Sequence, residues 1–433
     1  MHGLGGRQDL PLPFELVVVG AALALVVSFV VLSLARTAPR PAGPGVPLGA
    51  TLTRVVDSAG LAWTVRGVGL LLTGFMAAAL LFGKDLATNP VFGYVYVWVW
   101  VGLVPLSLLL GPVWRLLNPV RSTYLLVAGL QRVGAPAGAF PLPAWVGRWP
   151  AVAGLFAFVW LELAAPDRVS IPVVLLWFAA YAVVMGCGLL LFGLAWIDAA
   201  DPFETYALTV ARLSPWARRE DGQLRLRSPL TNLAGLDPQP GTVAFVAVLI
   251  GSTGFDGFSG SGGWLRWTQD SALPGVVAGT LGLLAFSVLV GLSYVAACRA
   301  AAGITGTSAR PLPGLFVHTL VPIALGYVTA HYLTLLILEG QRVLLNASDP
   351  FSRGWDLLGT SGRQVDTTIA NHPGLVGVIQ AGAVVAGHVI GVFAAHDRAL
   401  ARLPRAGVVR GQVPMLVVMV GYTVAALLLL FNE

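Results

Sequence analysis

Ten long apolar runs, separated by short polar segments, constrain the fold of this chain more than any other feature of its sequence. A run of about 18 or more apolar residues is long enough to cross the hydrocarbon core of a bilayer as an α-helix. Helices are favoured there because every backbone N–H and C=O group must be paired inside the lipid. The runs, numbered here as spans 1 to 10, cover 14–35, 66–83, 91–114, 149–165, 171–197, 241–258, 274–298, 312–338, 374–397 and 412–431.

The composition agrees with this pattern and excludes an ordinary soluble fold. Only 11% of the 433 residues are charged and 56% are apolar, whereas soluble proteins carry roughly 25% charged residues. Even the longest polar connection, 198–240, is shorter than a typical domain. The sequence therefore predicts an all-α, polytopic integral membrane protein with about ten transmembrane helices, forming one transmembrane domain over 1–433 with the lipid bilayer around it.

The charged residues are divided unevenly between alternate connections. When each charge is assigned to its nearer end of the spans, 19 of the 26 Lys and Arg residues lie at the end where the odd-numbered spans finish, and 12 of the 20 Asp and Glu residues lie at the opposite end. Because cytoplasmic connections carry the excess of Lys and Arg, we expect a cell inner membrane with both termini outside and span 1 as an uncleaved helix. No cluster of Arg interleaved with aromatic residues lies on a plausible soluble domain, so nucleic acid is not an expected partner.

The two longest connections carry different patterns. Aromatic residues flanked by arginines in the cytoplasmic connection 198–240 predict an amphipathic segment that lies on the membrane surface; they are Phe203, Tyr206 and Trp216, with Arg212, Arg218 and Arg219. The outer connection 339–373 is acidic, and we expect it to cap the outer face or to bind a partner membrane subunit; its acidic residues include Asp349, Asp356 and Asp366, beside Trp355.

Span 6 runs into the glycine-rich sequence GSTGFDGFSGSGG, which predicts that helix 6 is interrupted near Asp256. Secondary transporters bind their substrates at interrupted helices near the bilayer midplane, and many are built from inverted repeats. Ten spans permit a repeat of five plus five. A transporter or permease is therefore one function that the pattern allows.

Ionisable side chains inside the spans are few, and each is a candidate functional residue because a charge in lipid is costly. A rise of about 1.5 Å per residue places Glu162, Asp256 and His331 in the outer half of spans 4, 6 and 8. We predict a polar site there, with Asp256 and Glu162 as candidate catalytic residues. Carboxylates with histidine also bind divalent metals that activate water, so His331, Asp256 and Glu339 are candidate metal ligands for a hydrolase. A helix-end cap at Asp256 and an interface role for Glu162 are the structural alternatives.

Two histidines form a second candidate site. His318 and His388 are predicted at the same depth on adjacent antiparallel spans, and facing histidines can ligate a haem iron or another metal. They are therefore the candidate cofactor-binding residues, and buried histidines that hydrogen-bond neighbouring helices are the structural alternative. Pro322 removes the hydrogen bond to the His318 carbonyl and predicts a bend in span 8. His2 is a candidate copper ligand if Met1 is removed, because His2 would then be the amino-terminal residue.

Several stretches resemble a group of polytopic bacterial membrane proteins that are labelled fenitrothion hydrolase-like. The resemblance covers nearly the whole chain, and the stretches that carry it are HGLGGRQDLPLP, FGKDLATNPVFGYVYVWVWVGLVPLSLLLGPVWRLLNPVR, SPWARREDGQLRLRSPLTNLAGLDPQPGT, GSTGFDGFS, HTLVPIALGYVTAHYLTLLILEGQ and AGHVIGVFAAHDRAL. It implies a hydrolytic activity in a membrane-bound enzyme. It assigns no residue a catalytic role. The functions that stay open are a metal-dependent hydrolase, a transporter, and a haem- or copper-binding redox or assembly subunit.

Overall fold

Apolar sequence forms α-helix almost throughout the computed structural model, which describes residues 8, 10–40, 43–131 and 138–431. His2, the candidate copper ligand, lies outside the described residues. The helices of the first half, together with strand β1 (Val46–Pro47) and a π-helix over Tyr94–Val99, are α1 Phe14–Ala35, α2 Ala50–Val56, α3 Ala59–Phe82, α4 Pro90–Gly93, α5 Leu103–Leu110, α6 Trp114–Leu117, α7 Pro119–Leu130, α8 Trp149–Leu163 and α9 Ile171–Phe192.

The second half continues the helical pattern and contains strands β2 (Trp216–Arg218) and β3 (Leu224–Leu226). Short 3₁₀ turns cover Val317–Leu320 and Thr368–Asn371. The helices are α10 Leu194–Ala200, α11 Pro202–Ala211, α12 Pro229–Ala234, α13 Thr242–Ser259, α14 Gly262–Asp270, α15 Gly275–Thr305, α16 Leu312–Phe316, α17 Val321–Asn346, α18 Pro373–Arg402 and α19 Val408–Leu430.

Eight helical segments within the described residues are long and apolar enough to cross a membrane. They are α1, α2 with α3, α9, α13, α15, α16 with α17, α18 and α19. The prediction of an all-α fold is confirmed, and these eight segments are compatible with a multi-pass membrane protein. Of the two remaining predicted spans, 91–114 is a bent pair of helices and 149–165 contains the 15-residue helix α8.

The prediction that helix 6 is interrupted at Asp256 is wrong. Helix α13 is continuous from Thr242 to Ser259, and the chain turns only after it, at Gly260. The glycines that suggested a break instead allow close packing: a Cβ atom at Gly251 would lie 2.5 Å from Cα of Ser287 on α15. Contact with a neighbouring backbone stabilises a helix whose own glycines would otherwise weaken it.

The interruption lies in the third predicted span instead. Its two helical parts, Pro90–Val99 and Leu103–Leu110, meet at an angle of 45°. The first part ends in the π-helix Tyr94–Val99, which changes the helical register just before the bend. π-Helical turns of this kind occur frequently at functional sites.

The connections meet at two opposite ends of the helical bundle. At the basic end, β1 from the segment after α1 pairs with β3, and β2 pairs with the other edge of β3, so that all three strands are antiparallel. Arg218 also forms a two-pronged ion pair with Asp57 there. At the acidic end, the N–H of Ile171 donates to a carboxylate oxygen of Asp85, which joins the segments before α4 and α9.

The segment predicted to lie on the membrane surface as an amphipathic helix has two of its aromatic residues in the hydrophobic core instead. Phe203 and Tyr206 belong to α11, and both side chains are buried in the main hydrophobic core. This helix packs between α5 and α8 because its first turn is held by buried charges, described below, and its aromatic residues contact the neighbouring helices. Trp216 lies in strand β2.

Candidate functional site

A buried carboxylate on α13 is held by two side chains of α17. Oδ2 of Asp256 lies 3.0 Å from Nε2 of His331 and accepts a hydrogen bond of 2.7 Å from the hydroxyl of Tyr332. The exposed fractions are 6% for Asp256, 4% for His331 and 1% for Tyr332. Two partners on one carboxylate oxygen fix the position of Asp256 inside the bundle.

Glu162 brings a second carboxylate to the same region from α8. Glu162 is 9% exposed, and its Oε2 is buried without a hydrogen-bond partner among the residues that the structure describes. Glu162 interacts electrostatically with Asp256 and with Tyr332. The structure therefore brings together Glu162, Asp256 and His331, the three residues that the sequence placed between spans 4, 6 and 8. An unpaired carboxylate oxygen in this setting is costly, which distinguishes the cluster from an ordinary helix interface.

The bend in the third span lies beside this cluster. Trp100, at the bend, packs against Tyr206 of α11 with ring centroids 5.1 Å apart and against Phe158 of α8 at 5.3 Å. The hydroxyl of Tyr206 is buried and has no hydrogen-bond partner in the described part of the chain, and Tyr206 interacts electrostatically with Glu162. Glu162 and Tyr206 are thus buried polar residues that each have an oxygen without a hydrogen-bond partner among the described residues.

A surface depression of about 480 Å³ lies at the acidic end of α8. Arg168 lines it and donates a hydrogen bond of 2.8 Å to the backbone carbonyl of Glu162. The hydroxyl of Tyr96 donates to the carbonyl of Arg168, also at 2.8 Å. The segment that lines the depression is therefore tied to the helix that carries the buried carboxylate; it comprises Ala165, Asp167, Arg168, Val169 and Ser170.

The candidate metal ligands are only partly assembled. Asp256 and His331 are adjacent, but Glu339 follows His331 by eight residues, which corresponds to roughly 12 Å along a helix, and it pairs with Arg342 at 2.8 Å. Within the described ranges, no group of three or more His, Cys, Asp or Glu residues is arranged to hold a metal ion. Zinc enzymes commonly use three protein ligands, so the residues present do not fit a complete centre of that kind.

The candidate haem ligands are buried on helices that touch closely. Nδ1 of His388 lies 2.8 Å from the carbonyl oxygen of Val384 on its own helix. A Cβ atom at the neighbouring Gly387 would lie 2.4 Å from the carbonyl oxygen of Pro322, and one at Gly391 would lie 2.9 Å from that of Thr319. A porphyrin between α17 and α18 at this level would require the two backbones to separate. Haem binding by His318 and His388 stays a prediction.

A second buried polar cluster, the inner charge cluster, was not predicted from the sequence. The carboxylate of Glu204 is fully buried and accepts hydrogen bonds from Arg121 at 2.6 and 3.1 Å, from Arg115 at 3.1 Å and from Asn118 at 2.8 Å. Asn118 also donates to Asp201 at 2.7 Å. Asp198 completes the cluster by pairing with Arg115 and Arg121.

The local sequence contains the signal for this cluster in two capping motifs. In NPVR, Asn118 accepts a hydrogen bond from the backbone N–H of Arg121 and begins α7. In DPFE, Asp201 does the same for Glu204 and begins α11. Asn or Asp before proline is a strong start signal for a helix, but no rule of sequence says that two such starts face each other. Burial, together with the charge of Glu204, raises the pKa of Asp201 to about 6.

Comparison of the chain with protein-family models, with curated proteins and with solved structures finds no match.

Proposed function

We propose that this protein is a proton-coupled membrane transporter whose proton-binding site is the pair of carboxylates Glu162 and Asp256. One observation carries the proposal: two carboxylates from different helices are buried together, and one of them has an unpaired oxygen. Buried acidic residues that face the interior of a helical membrane bundle are typical of proton relays in pumps and transporters.

The two carboxylates differ in how firmly they are held. Asp256 is fixed by His331 and Tyr332, whereas the side chain of Glu162 has a free oxygen. Two negative charges at close range in a medium of low dielectric constant repel each other strongly, so such a pair shares a proton. We assign the exchangeable proton to Glu162 and a charge-balancing role to Asp256.

The bent span supports transport rather than a rigid scaffold. The break at Trp100 lies next to the carboxylate region, and discontinuous helices surround the substrate and ion sites of secondary transporters. A change in the charge of Glu162 would act on Tyr206 of α11 and on Tyr332 of α17. Helix α11 packs against α5, after the break, and α17 packs against the π-helix before it. Protonation and helix movement are in this way linked through direct neighbours.

The test has two readouts on detergent-purified and reconstituted protein. Infrared spectroscopy of the purified protein should show a protonated buried carboxyl at neutral pH, and this signal should be lost in Glu162→Gln and kept in the exposed control Glu339→Gln. In proteoliposomes that contain a pH-sensitive dye, a mixture of small polar metabolites added outside should cause proton uptake. The dye should report this uptake for the wild type and for Glu339→Gln. Absence of the carboxyl signal, or uptake that persists in Glu162→Gln, would refute the proposal.

A metal-dependent hydrolase is the second candidate, and the adjacency of His331 and Asp256 favours it. It is also the activity that the resemblance implies. Elemental analysis and hydrolysis of a phosphotriester separate it from the first candidate. A near-stoichiometric metal that is lost in the Asp256→Ala, His331→Ala double variant would support the hydrolase, whereas metal-free protein with solute-driven proton uptake would exclude it.

We further propose ten spans in a bacterial inner membrane, with both termini outside, by counting the bent pair and α8 with the eight long helices. The segregation of Arg to one end supports this orientation. In a variant without native cysteines, a membrane-impermeant maleimide added to intact cells should label Arg353→Cys but not Arg218→Cys. The reverse labelling would show that the orientation is inverted. We also propose a partner membrane subunit. This subunit should remain bound during purification in mild detergent, and a monodisperse preparation of this chain alone would contradict the proposal.

A further inference from the structure

We propose that Arg66 binds the phosphate of an anionic phospholipid, beside Trp63 and the start of α7 at the basic end of the bundle. The ligand class is a phosphate group that no cation in the same headgroup compensates. This inference is independent of the proton-binding role proposed for Glu162. It assigns a ligand to a charged residue of an apolar helix that the inner charge cluster does not use.

Arg66 is a cation within a length of helix that can cross a membrane. Segment Ala50–Phe82 is long and apolar enough for this, and the 20 residues from Trp63 to Phe82 span about 30 Å, the thickness of the hydrocarbon core. Counted from the acidic end, Trp63 then lies at the boundary on the basic side and Arg66 about 5 Å inside it. An ionisable residue at such a position is a candidate functional residue.

The described part of the protein supplies no anion for Arg66. Its Nη1 atom is buried without a hydrogen-bond partner among the described residues, and no salt bridge of the described ranges includes it. The charged group that acts on it is Arg121 of α7, which is also a cation and already pairs with Glu204 at 2.6 Å. An unpaired charge that is shielded from water is costly, so an anion from outside the chain would stabilise this arrangement.

A close backbone contact fixes the position of Arg66 relative to α7. Helix α3 approaches the preceding segment so closely that a Cβ atom at Gly69 would overlap the carbonyl group of Leu117. Arg66 lies three residues before Gly69, hence on the same face of α3 and one turn closer to the basic end. Leu117 directly precedes Asn118, the residue that caps α7. Arg66 therefore lies beside the first turn of α7.

Trp63 holds the guanidinium at the level of the lipid headgroups. Cζ of Arg66 lies 5.5 Å from the centroid of the Trp63 ring, within the range of a cation–π interaction. Trp63 is 42% exposed, and tryptophans are enriched at the boundary between membrane and water. Side chains of a helix lean toward its N-terminus, which for α3 is the basic end. Basic sites between membrane helices on that side bind anionic headgroups.

The test adds one lipid at a time to the full-length protein in lipid-free detergent. Native mass spectrometry measures the affinity, and thermal unfolding measures the stabilisation. The wild type should bind phosphatidylglycerol more tightly than phosphatidylcholine with the same acyl chains. Arg66→Gln should weaken the binding of phosphatidylglycerol by roughly fivefold, the factor that corresponds to about 1 kcal/mol for one arginine at an anionic headgroup. It should leave the binding of phosphatidylcholine unchanged.

Two further variants separate a specific contact from a general effect of charge or folding. Arg54→Gln is the matched control, because it removes the same charge at the same end, and Arg54 is exposed and donates only within its own helix, to the carbonyl of Ala50. It should bind phosphatidylglycerol like the wild type. Arg66→Lys keeps a point charge for the phosphate and should keep most of the affinity. Without lipid, Arg66→Gln should unfold at the wild-type temperature or above, since it removes an unpaired charge.

Three results would overturn the proposal. The first is equal affinity of the wild type for the two lipids, as expected if Arg66 only extends toward any headgroup. The second is equal weakening in Arg54→Gln and Arg66→Gln. The third comes from inorganic phosphate: stabilisation as large as that by phosphatidylglycerol, and lost in Arg66→Gln, would assign the site to a soluble anion instead of a lipid. None of these readouts depends on Glu162.

Discussion

Replacing Arg121 by methionine removes the central cation of the inner charge cluster and keeps a side chain of similar length. In the folded protein, Arg121 donates two hydrogen bonds to the buried carboxylate of Glu204, at 2.6 and 3.1 Å, and one to Asp198 at 2.6 Å. The variant leaves Glu204 with Arg115 and Asn118 as its remaining partners.

The expected loss of stability follows from these bonds. Hydrogen bonds to a charged group contribute about 1.5 to 3 kcal/mol each, and removal of one partner from a buried ion pair costs about 3 to 5 kcal/mol. Because two other donors still hold Glu204, we expect the lower part of this range, about 3 kcal/mol. The matched control is Arg218→Met, which breaks a half-exposed pair with Asp57 and should cost at most about 1 kcal/mol.

The assay is unfolding in mixed detergent micelles, with the free energy obtained from the denaturant dependence of helical circular dichroism. The double variant Arg121→Met, Glu204→Gln should lose less stability than the sum of its two single variants, since it removes both charges together. A cost for Arg121→Met equal to that of Arg218→Met would refute the view that burial of Glu204 makes this cluster important for the fold.

Two other predictions follow from backbone contact and from the acidic end. Gly387→Ala should lower the free energy of unfolding by about 1 to 3 kcal/mol, because the added Cβ atom would meet the backbone of Pro322 and Gly326, whereas Gly382→Ala on the same helix has open space and should be neutral or slightly stabilising; equal effects in thermal unfolding would contradict this packing. At the acidic end, hydrogen bonds from Ser348 and Ser361 lower the pKa of Asp356 to about 2, so the stability that this carboxylate gives to segment 348–361 is present above about pH 4 and is lost as the pH falls toward 2. We compare cleavage of this segment by pepsin at pH 4 and pH 2, each measured relative to an unfolded reference protein at the same pH. The relative cleavage of the wild type should rise at pH 2, whereas Asp356→Asn should give the same relative cleavage at both pH values. A wild type with the same relative cleavage at pH 4 and pH 2 would count against the assignment.

The helical membrane architecture could be predicted because each apolar run carries its own reason to be a helix. Span 1 was predicted at 14–35, and α1 covers Phe14–Ala35. A segment in lipid must pair its backbone N–H and C=O groups within itself, whatever the neighbouring helices are. The local sequence is therefore enough to predict such a helix. The same local signal failed at Asp256, because whether glycines break a helix or let it pack depends on what lies beside them.

Depth along a helix could also be predicted, and it explains the success with Glu162, Asp256 and His331. Counting residues at about 1.5 Å each gives the level of a side chain, and these three residues do share a level in the structure. The same counting shows why Glu339 does not join them: it lies about two turns beyond His331 on α17. Counting gives no rotation about the helix axis and no list of neighbouring helices.

The sequence by itself determined the all-α class with long apolar helices, the first residue of most of these helices and the level of the buried acidic residues, because hydrophobicity and length act along one helix at a time. The tertiary structure alone decided that Glu162 keeps an unpaired oxygen, that the bend falls at Trp100, and that Asn118 faces Asp201 across 83 residues of sequence. These features depend on which helix faces which. That choice is made by close packing and by the pairing of buried charges between segments that are distant in the chain.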